Sequence, residues 1–263
     1  TTFLLRKFFA AVLSLACSLS ALGQAGETIP ATTAMKAVAE QVEGDWTDGR
    51  WNQADVGPFM SADIHTPQGR TLKGIAIKVG GTAQATVCFN TELLGYSAAW
   101  ADGFLEFDPR RYGLIGGPKP KGRTLFANDI TPGWMHDGKL DDPRTRKLGP
   151  LPRSRAKYRG LYRHGKRVAL SYTVGETTVL DEPWAGDADG RLFLTRTLEF
   201  GQAAKPLTAL IATKRGTTAV LQKISGLAVA QLPAGDETLW VAALGQGTGL
   251  AVKNHRILLT VQP

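Results

Sequence analysis

The stretch GIAIKVGGTAQATVCFN, residues 74–90, decides the fold class. Two apolar runs, 74–79 and 85–90, flank a short segment that begins with Gly80-Gly81. Each run is shorter than a typical globular helix and is rich in β-branched and aromatic residues, which favours strands. Paired glycines readily adopt the positive φ angles of tight hairpin turns. The stretch therefore predicts two neighbouring strands joined by a hairpin.

Similar short runs recur on both sides of this stretch. Turn residues separate most of them, and the runs lie at 59–65, 74–79, 85–90, 96–100, 104–107, 158–163, 167–174, 192–200, 207–213, 219–223, 239–244 and 256–261. About a dozen short strands with intervening turns are typical of a β-sandwich or barrel. A parallel α/β fold would need helices of about 10 to 15 residues between strands. The sequence lacks them and predicts an all-β fold, a large antiparallel β-sandwich.

The first 25 residues have the pattern of a secretory signal peptide. The basic pair Arg6-Lys7 precedes the apolar run 8–16, and small residues follow at the spacing that signal peptidase reads. The run is far shorter than the roughly 20 residues that span a bilayer. We therefore expect cleavage before Gly26, a periplasmic or secreted protein, and no membrane span after cleavage.

The mature chain is basic and has one cysteine. Without residues 1–25 it carries 29 basic and 23 acidic side chains, a net charge of +6. Cleavage also removes Cys17, whose use as a lipoprotein anchor is the weaker alternative because Ser14 stands where an aliphatic residue is needed. The remaining Cys88 lies in a strand-like run with no basic neighbour, so we interpret it as a small buried core residue. No intrachain disulfide can form, and stability must come from packing.

The mature chain divides into a lead-in and one domain. Residues 26–50 are predicted to hold one short helix, because apolar side chains recur at helical spacing between 31 and 43 behind threonines that can cap it. Residues 51–263 are predicted to form a single β-rich domain. Its last strand runs directly into Pro263, so we expect the domain to belong to a longer polypeptide.

A long loop, residues 108–157, interrupts the strand pattern. Its part from 108 to 152 holds seven of the fourteen prolines and seven glycines, which disfavour helix interiors and central strands. Loops beyond about 15 residues are usually functional or disordered. Aromatic and aliphatic residues within the loop, among them Trp134, predict that it packs down on the sheet.

The strongest local feature is a basic run. Ten basic residues and no Asp or Glu lie between Arg144 and Arg167. On an extended strand, alternation would place Arg153, Arg155, Lys157, Arg159 and Arg163 on one side, as a stripe for phosphate, sulfate or carboxylate groups. The alternative is a solvated edge strand with no ligand. Nucleic acid is the generic partner of basic stripes, but an exported protein more often meets acidic glycans, so we expect an anionic polysaccharide and no nucleic acid.

Tryptophans next to polar residues form a second group of candidates. Aromatic faces pack on sugar rings, and nearby carboxylates bind hydroxyl groups, although core packing is the commoner role of large aromatic residues. Together with the arginines, the candidate binding residues are Trp100, Asp102, Trp134, His136, Asp137, Arg153, Arg155, Arg159 and Arg163.

Other motifs give no cofactor or metal. The glycines at 245, 247 and 249 have the wrong spacing for a dinucleotide loop, and we interpret them as a turn. The segment 187–190 begins like a calcium loop, but Arg191 and Leu198 occupy positions that need oxygen ligands. The four histidines are scattered, without metal-ligand spacing. The sequence therefore predicts no catalytic residue, no metal and no cofactor.

Several blocks of sequence resemble an uncharacterised domain of large exported proteins of planctomycete and verrucomicrobial bacteria. They are DVGPF (55–59), KGIAI (73–77), CFNTELL (88–94) with Trp100 and Gly103-Phe104, PGW (132–134), GPLP (149–152), YRGLYRHG (158–165) and LSYTVG (170–175). The resemblance runs from about Trp51 to Trp184 and more loosely to the end. It implies an N-terminal domain that c-type cytochrome or dehydrogenase-like modules often follow, and it implies no catalytic residues. Asn90 stands where this family leads us to expect Asp.

These observations predict an exported, non-catalytic recognition or scaffolding domain of a larger protein. Its expected partners are downstream domains of the same polypeptide and an anionic carbohydrate. The alternative is a carbohydrate-active enzyme with a cleft under the 108–157 loop. An enzyme would need at least two titratable groups that converge on one pocket. The sequence alone does not decide between the two.

Overall fold

The computed structural model describes residues 2–6, 49–110, 116–234 and 237–263. Its first half contains β1 (Thr2–Arg6), a 3-10 helix (Arg50–Gln53), β2 (Phe59–Thr66), β3 (Gly69–Val79), β4 (Ala85–Asn90), β5 (Gly95–Ala101), β6 (Leu105–Glu106), β7 (Lys119–Pro120) and β8 (Arg123–Ala127). Its second half contains β9 (Ala156–His164), β10 (Arg167–Val174), β11 (Thr177–Ala188), β12 (Arg191–Phe200), β13 (Leu207–Thr213), β14 (Val220–Ile224), β15 (Leu227–Ala234), β16 (Glu237–Ala243), β17 (Thr248–Lys253) and β18 (Arg256–Val261).

The all-β prediction is confirmed, and the described strands form several sheets. The longest sheet has the order β14-β15-β16-β1-β12-β11-β10-β9. A second sheet has the order β2-β3-β4-β5-β8, a third β13-β18-β17, and β6 pairs with β7. Pairing is antiparallel except at β1, which runs parallel to both of its neighbours. The arrangement is sandwich-like, as the alternating runs predict.

One main core joins these sheets. On β11 the side chains alternate between buried and more exposed positions, because successive residues of a strand point to opposite faces. Phe89 of β4 stacks on Tyr172 of β10 with the ring centroids 5.7 Å apart. Ile211 of β13, Leu239 of β16 and other residues of most strands belong to the same buried cluster. The core is therefore continuous across the sandwich.

The middle of the second sheet is buried on both faces. All six side chains of β4 are buried, and β5 is nearly as deep. One face belongs to the main core, and the other carries a separate cluster with Ile64, Cys88 and Trp100. Cys88 is free and buried, which confirms its interpretation as a core residue. Burial raises the pKa of its thiol to about 12, although a hydrogen bond involving Thr71 acts in the opposite direction.

The 108–157 loop contains regular secondary structure. It contains β7, and it contains β8, which is the fifth strand of the second sheet. The predicted strand runs omit β1, β7, β8, β11, β15 and β17. On β11 the reason is visible, because the inward positions include Asp181 and Pro183, which interrupt the apolar alternation that predicts a strand.

The predicted signal peptide and lead-in lie mostly outside the described residues. Thr2–Arg6 pairs along its backbone with β12 and β16 inside the longest sheet, a place that cleavage before Gly26 would leave without this strand. The predicted helix between 31 and 43 is not among the described residues. In the part of the chain that the structure describes, no helix is long and apolar enough to cross a membrane.

Candidate functional site

A cleft of about 590 Å³ lies where the long loop meets two other segments of the chain. Its size is within the range of pockets that bind small molecules, about 300 to 1,000 Å³. The loop contributes residues 135–137 and Arg155, the turn between β10 and β11 contributes 174–177, and the connection between β12 and β13 contributes residues between 202 and 207. We refer to this space as the cleft.

Backbone hydrogen bonds fix the walls of the cleft. The amide of Gly175 donates to the carbonyl oxygen of Arg155 at 2.8 Å, which joins the turn to the loop. The amide of Met135 donates to Thr208 at 2.9 Å, which joins the loop to β13. These contacts join the segments that form the walls of the cleft.

The loop reaches this position because it packs closely against β5. The amide of Gly133 donates to the carbonyl of Leu93, and its carbonyl accepts from Leu210, both at 2.8 Å. A Cβ atom at Gly133 would lie 2.6 Å from the Cα of Gly95, so only glycine permits this approach. The next residue, Trp134, is only 4% exposed.

Trp134 lies above a buried polar network. Its ring centroid is 6.2 Å from that of Tyr172 and 5.8 Å from the Arg196 guanidinium carbon. The Arg196 Nη2 donates to Asp181 Oδ2 at 2.7 Å, and both side chains are almost completely buried. The Tyr172 hydroxyl donates to the same carboxylate at 2.8 Å, and that of Tyr96 donates to its other oxygen at 3.0 Å.

The network is held in one charge state. Burial raises the pKa values of Tyr96 and Tyr172 well above the usual range, and the Asp181 carboxylate adds to the effect. Burial acts to lower the pKa of Arg196, but attraction to Asp181 outweighs it, and the pKa is raised. The tyrosines therefore remain neutral donors and Arg196 remains a cation. The network is closed from solvent and is not part of the cleft lining.

Charged groups of both signs line the cleft. His136 Nε2 lies 3.4 Å from Asp137 Oδ2, and the Asp137 side chain is 87% exposed. Glu176 and Lys205 come from the other two walls. Arg155 is partly covered and contacts Asp141 Oδ2 at 3.7 Å.

Three of the nine candidate residues come together in the cleft: His136, Asp137 and Arg155. Trp134 and Trp100 are buried, so neither presents a ring face to a sugar. The Trp100 indole donates to the carbonyl of Phe104, inside the second core cluster. Asp102 lies in a bend with φ of 66° just after β5 and is not part of the cleft lining.

The predicted basic stripe does not form on one face of a strand. Arg153 and Arg155 lie in the turn that precedes β9. Within β9, a register shift leaves Arg159 without an opposite residue in β10. Such a bulge moves the following side chains to the other face. Arg163 therefore shares a face with the buried residues of β10 and does not lie beside Lys157, so the prediction of one continuous stripe is wrong.

Acidic side chains outside the basic run pair with four of its cations. The pairs are Arg144 with Glu92 and Asp142, Lys147 with Asp142, Arg155 with Asp141, and Arg167 with Glu182. Arg144 is nearly buried, and it also donates to the carbonyl of Gly149 at 2.5 Å. It thus fastens the long loop to the turn after β4.

Sequence reasoning missed Glu176, Gln202 and Lys205 as cleft residues. Glu176 follows a glycine in the turn between β10 and β11, and Lys205 precedes a proline in a short connection. Polar residues in such turns are common, and only the sheet topology brings these two segments to the loop. Among the described residues, no group of His, Cys, Asp or Glu could hold a metal ion.

A protein-family model described as "Domain of unknown function (DUF6797)" matches residues 87–181. The matched part runs from β4 into β11 and includes His136, Asp137, Arg155 and Glu176, but it ends before Arg196 and Lys205. Searches of curated proteins and of solved structures found no match to the chain.

Proposed function

We propose that this chain is an exported recognition domain of a larger protein and that it binds an anionic carbohydrate in the cleft without catalysing a reaction. The resemblance to exported planctomycete and verrucomicrobial proteins supports this context, with cytochrome or dehydrogenase-like modules downstream in the same polypeptide. The observation that carries the proposal is the cleft, where Arg155 and Lys205 lie among further polar side chains.

The lining suits a carboxylated sugar. Arg155 and Lys205 can bind a carboxylate by charge-assisted hydrogen bonds. Asp137 and Glu176 can accept hydrogen bonds from hydroxyl groups, and the Gln202 amide can both accept and donate them. The remaining lining residues include apolar side chains such as those of Met135, Val174, Pro206 and Leu207. A ring with one acidic group and several hydroxyls matches this mixture better than a purely apolar ligand would.

Calorimetric titration with trigalacturonate tests the proposal. We expect binding that Lys205→Ala and Arg155→Met each weaken about tenfold or more, since hydrogen bonds to charged groups contribute about 1.5–3 kcal/mol. Arg163→Met is the control, because Arg163 lies outside the cleft lining. Binding should weaken as salt rises from about 0.01 M to 0.15 M and the Debye length shrinks from about 30 Å to 8 Å. Absence of binding, or equal loss in the control, overturns the proposal.

Export is tested at the N-terminus. Material recovered from the periplasm or the medium should begin near Gly26, because the cleavage pattern precedes it. N-terminal sequencing that finds Phe8 in that material would contradict this part of the proposal.

One observation favours the alternative of a carbohydrate-active enzyme. Two carboxylates, Asp137 and Glu176, line the same cleft beside His136, and paired carboxylates are the usual apparatus of glycoside hydrolysis. Release of p-nitrophenol from p-nitrophenyl β-D-glucuronide would support the enzyme, provided that Asp137→Asn or Glu176→Gln abolishes it. We expect no release.

A further inference from the structure

A second cavity adjoins the cleft. It has a volume of about 240 Å³. Its lining residues are Phe200, Gly201, Gln202, Ala203, Leu207, Val261, Gln262 and Pro263. Gln202 and Leu207 line both spaces, so the connection between β12 and β13 forms a common wall.

The two spaces differ in chemistry. The cleft is lined by His136, Asp137, Arg155, Glu176 and Lys205, whereas none of the eight described residues around the second cavity has an ionisable side chain. Its lining includes the apolar side chains of Phe200, Ala203, Leu207, Val261 and Pro263 together with the amides of Gln202 and Gln262. A polar compartment and an apolar compartment therefore lie next to each other.

The apolar cavity is built on fixed parts of the fold. The ring of Phe200 packs edge-on against Trp134, with centroids 6.1 Å apart and planes at 84°. The amide of Gly201 donates to the carbonyl of Thr178, and that of Gln262 donates to Gly247, at 2.9 Å and 2.8 Å. The same Trp134 belongs to the loop that forms the cleft. The two compartments thus share one support, and their relative position is set by the core.

From this juxtaposition we infer that the ligand is bipartite: a carboxylated sugar in the cleft bears an apolar aryl or alkyl substituent that passes Gln202 and occupies the second cavity. The inference rests on the proposed function. Size agrees with it, because an apolar cavity of about 150 Å³ is enough to bind benzene, and the second cavity is larger. The substituent gains free energy from the apolar surface that it removes from water.

Two glucuronides test the inference in the whole chain. Methyl β-D-glucuronide presents the sugar alone, and p-nitrophenyl β-D-glucuronide adds an aromatic ring. We expect the aryl compound to bind about tenfold more tightly, a difference of about 1.4 kcal/mol. Calorimetric titration measures both dissociation constants.

Two neighbouring alanines provide matched variants. Ala203 lines only the second cavity and Ala204 only the cleft. Ala203→Phe should fill the second cavity and remove the tenfold advantage of the aryl compound, while the affinity for the methyl compound stays unchanged. Ala204→Phe should weaken both compounds to a similar degree.

The outcomes separate this inference from the proposed function. If the methyl compound binds and the aryl ring adds no affinity, the bipartite ligand is wrong and carbohydrate recognition stands. If the aryl ring adds affinity that Ala203→Phe does not remove, the ring lies elsewhere and the inference is also overturned. If neither compound binds while trigalacturonate does, the inference fails and the proposed function stands; if trigalacturonate also fails to bind, both fail.

Discussion

Arg196 and Asp181 show what a buried ion pair contributes at the scale of single residues. Both charges are removed from water, and the hydroxyls of Tyr96 and Tyr172 complete the hydrogen bonds of the carboxylate. Removing one charge would leave the other buried without a partner, which is far more costly than replacing the whole pair by apolar residues.

We expect Arg196→Met to lower the free energy of unfolding by about 3–5 kcal/mol, because Asp181 then stays buried and uncompensated. Urea denaturation followed by fluorescence measures the loss. The double variant Arg196→Met with Asp181→Leu should lose less than the single one. A single variant with a loss below about 1 kcal/mol would show that the carboxylate finds another partner or becomes protonated.

The Cys88 thiol should be inert in the folded protein. Its pKa is raised to about 12 by burial, and the thiolate is the reactive form. At pH 8 we expect no reaction with dithionitrobenzoate in a Cys17→Ser background, and full reaction after addition of urea. Rapid labelling of the native chain would mean that the second core cluster opens readily.

At the scale of elements, the sequence predicted the strands whose inward positions are apolar, such as β4 and β10. It did not predict β8, which lies among prolines and becomes a strand only because it pairs with β5. The basic run shows a different limit. Strict alternation predicted one stripe, but the bulge at Arg159 depends on the register between β9 and β10, which no local pattern specifies.

The contact between the loop and β5 depends on Gly133. We expect Gly133→Ala to destabilise the fold by about 1–3 kcal/mol, the usual range for an overpacked site, because its Cβ would lie 2.6 Å from the Cα of Gly95. Gly249→Ala is the control, since no atom lies within 4 Å of its added Cβ. Thermal unfolding compares the two variants. Equal melting temperatures would argue against close packing of the loop.

Arg144 forms ion pairs with Glu92 and Asp142 that fasten the 108–157 loop to the turn after β4. We therefore expect the stability of this part of the loop to depend on pH. Burial acts to raise the pKa of Asp142, but hydrogen bonds from Arg144 outweigh it, and the pKa is lowered. Because its pKa is lower in the folded chain than in the unfolded chain, the Asp142 carboxylate stabilises the fold at pH values above the unfolded pKa of about 3.9. This contribution is lost as the pH falls through the pKa of the folded chain. Between pH 5 and 2, amide protection at 141–151 should fall more steeply in the native chain than in Asp142→Asn. Parallel profiles would contradict this anchor.

At the scale of the whole molecule, one buried cluster connects strands from all three large sheets. We therefore expect a single cooperative unfolding transition, with far-UV circular dichroism and tryptophan fluorescence changing at the same urea concentration. Two separated transitions would mean that part of the sandwich folds independently.

Only some of the charged residues that line the cleft could be predicted from the sequence. His136 and Asp137 were predicted because they lie beside Trp134 in a long loop, and Arg155 because of its charge. Glu176 and Lys205 were not predicted, since each is an ordinary turn residue until the sheets bring it to the loop. The predicted aromatic contact with sugar failed because Trp134 itself is part of the core.

The bulge in β9 also affects how the molecule behaves among its own copies. β9 ends the longest sheet, so among the described strands only β10 pairs with it. An open strand edge is a template for aggregation, because a second chain can extend the sheet along it. The bulge bends this edge, and the cations Lys157, Arg159 and Arg163 repel an identical edge brought alongside. A basic run that does not form a ligand stripe thus opposes amyloid-like stacking of the protein.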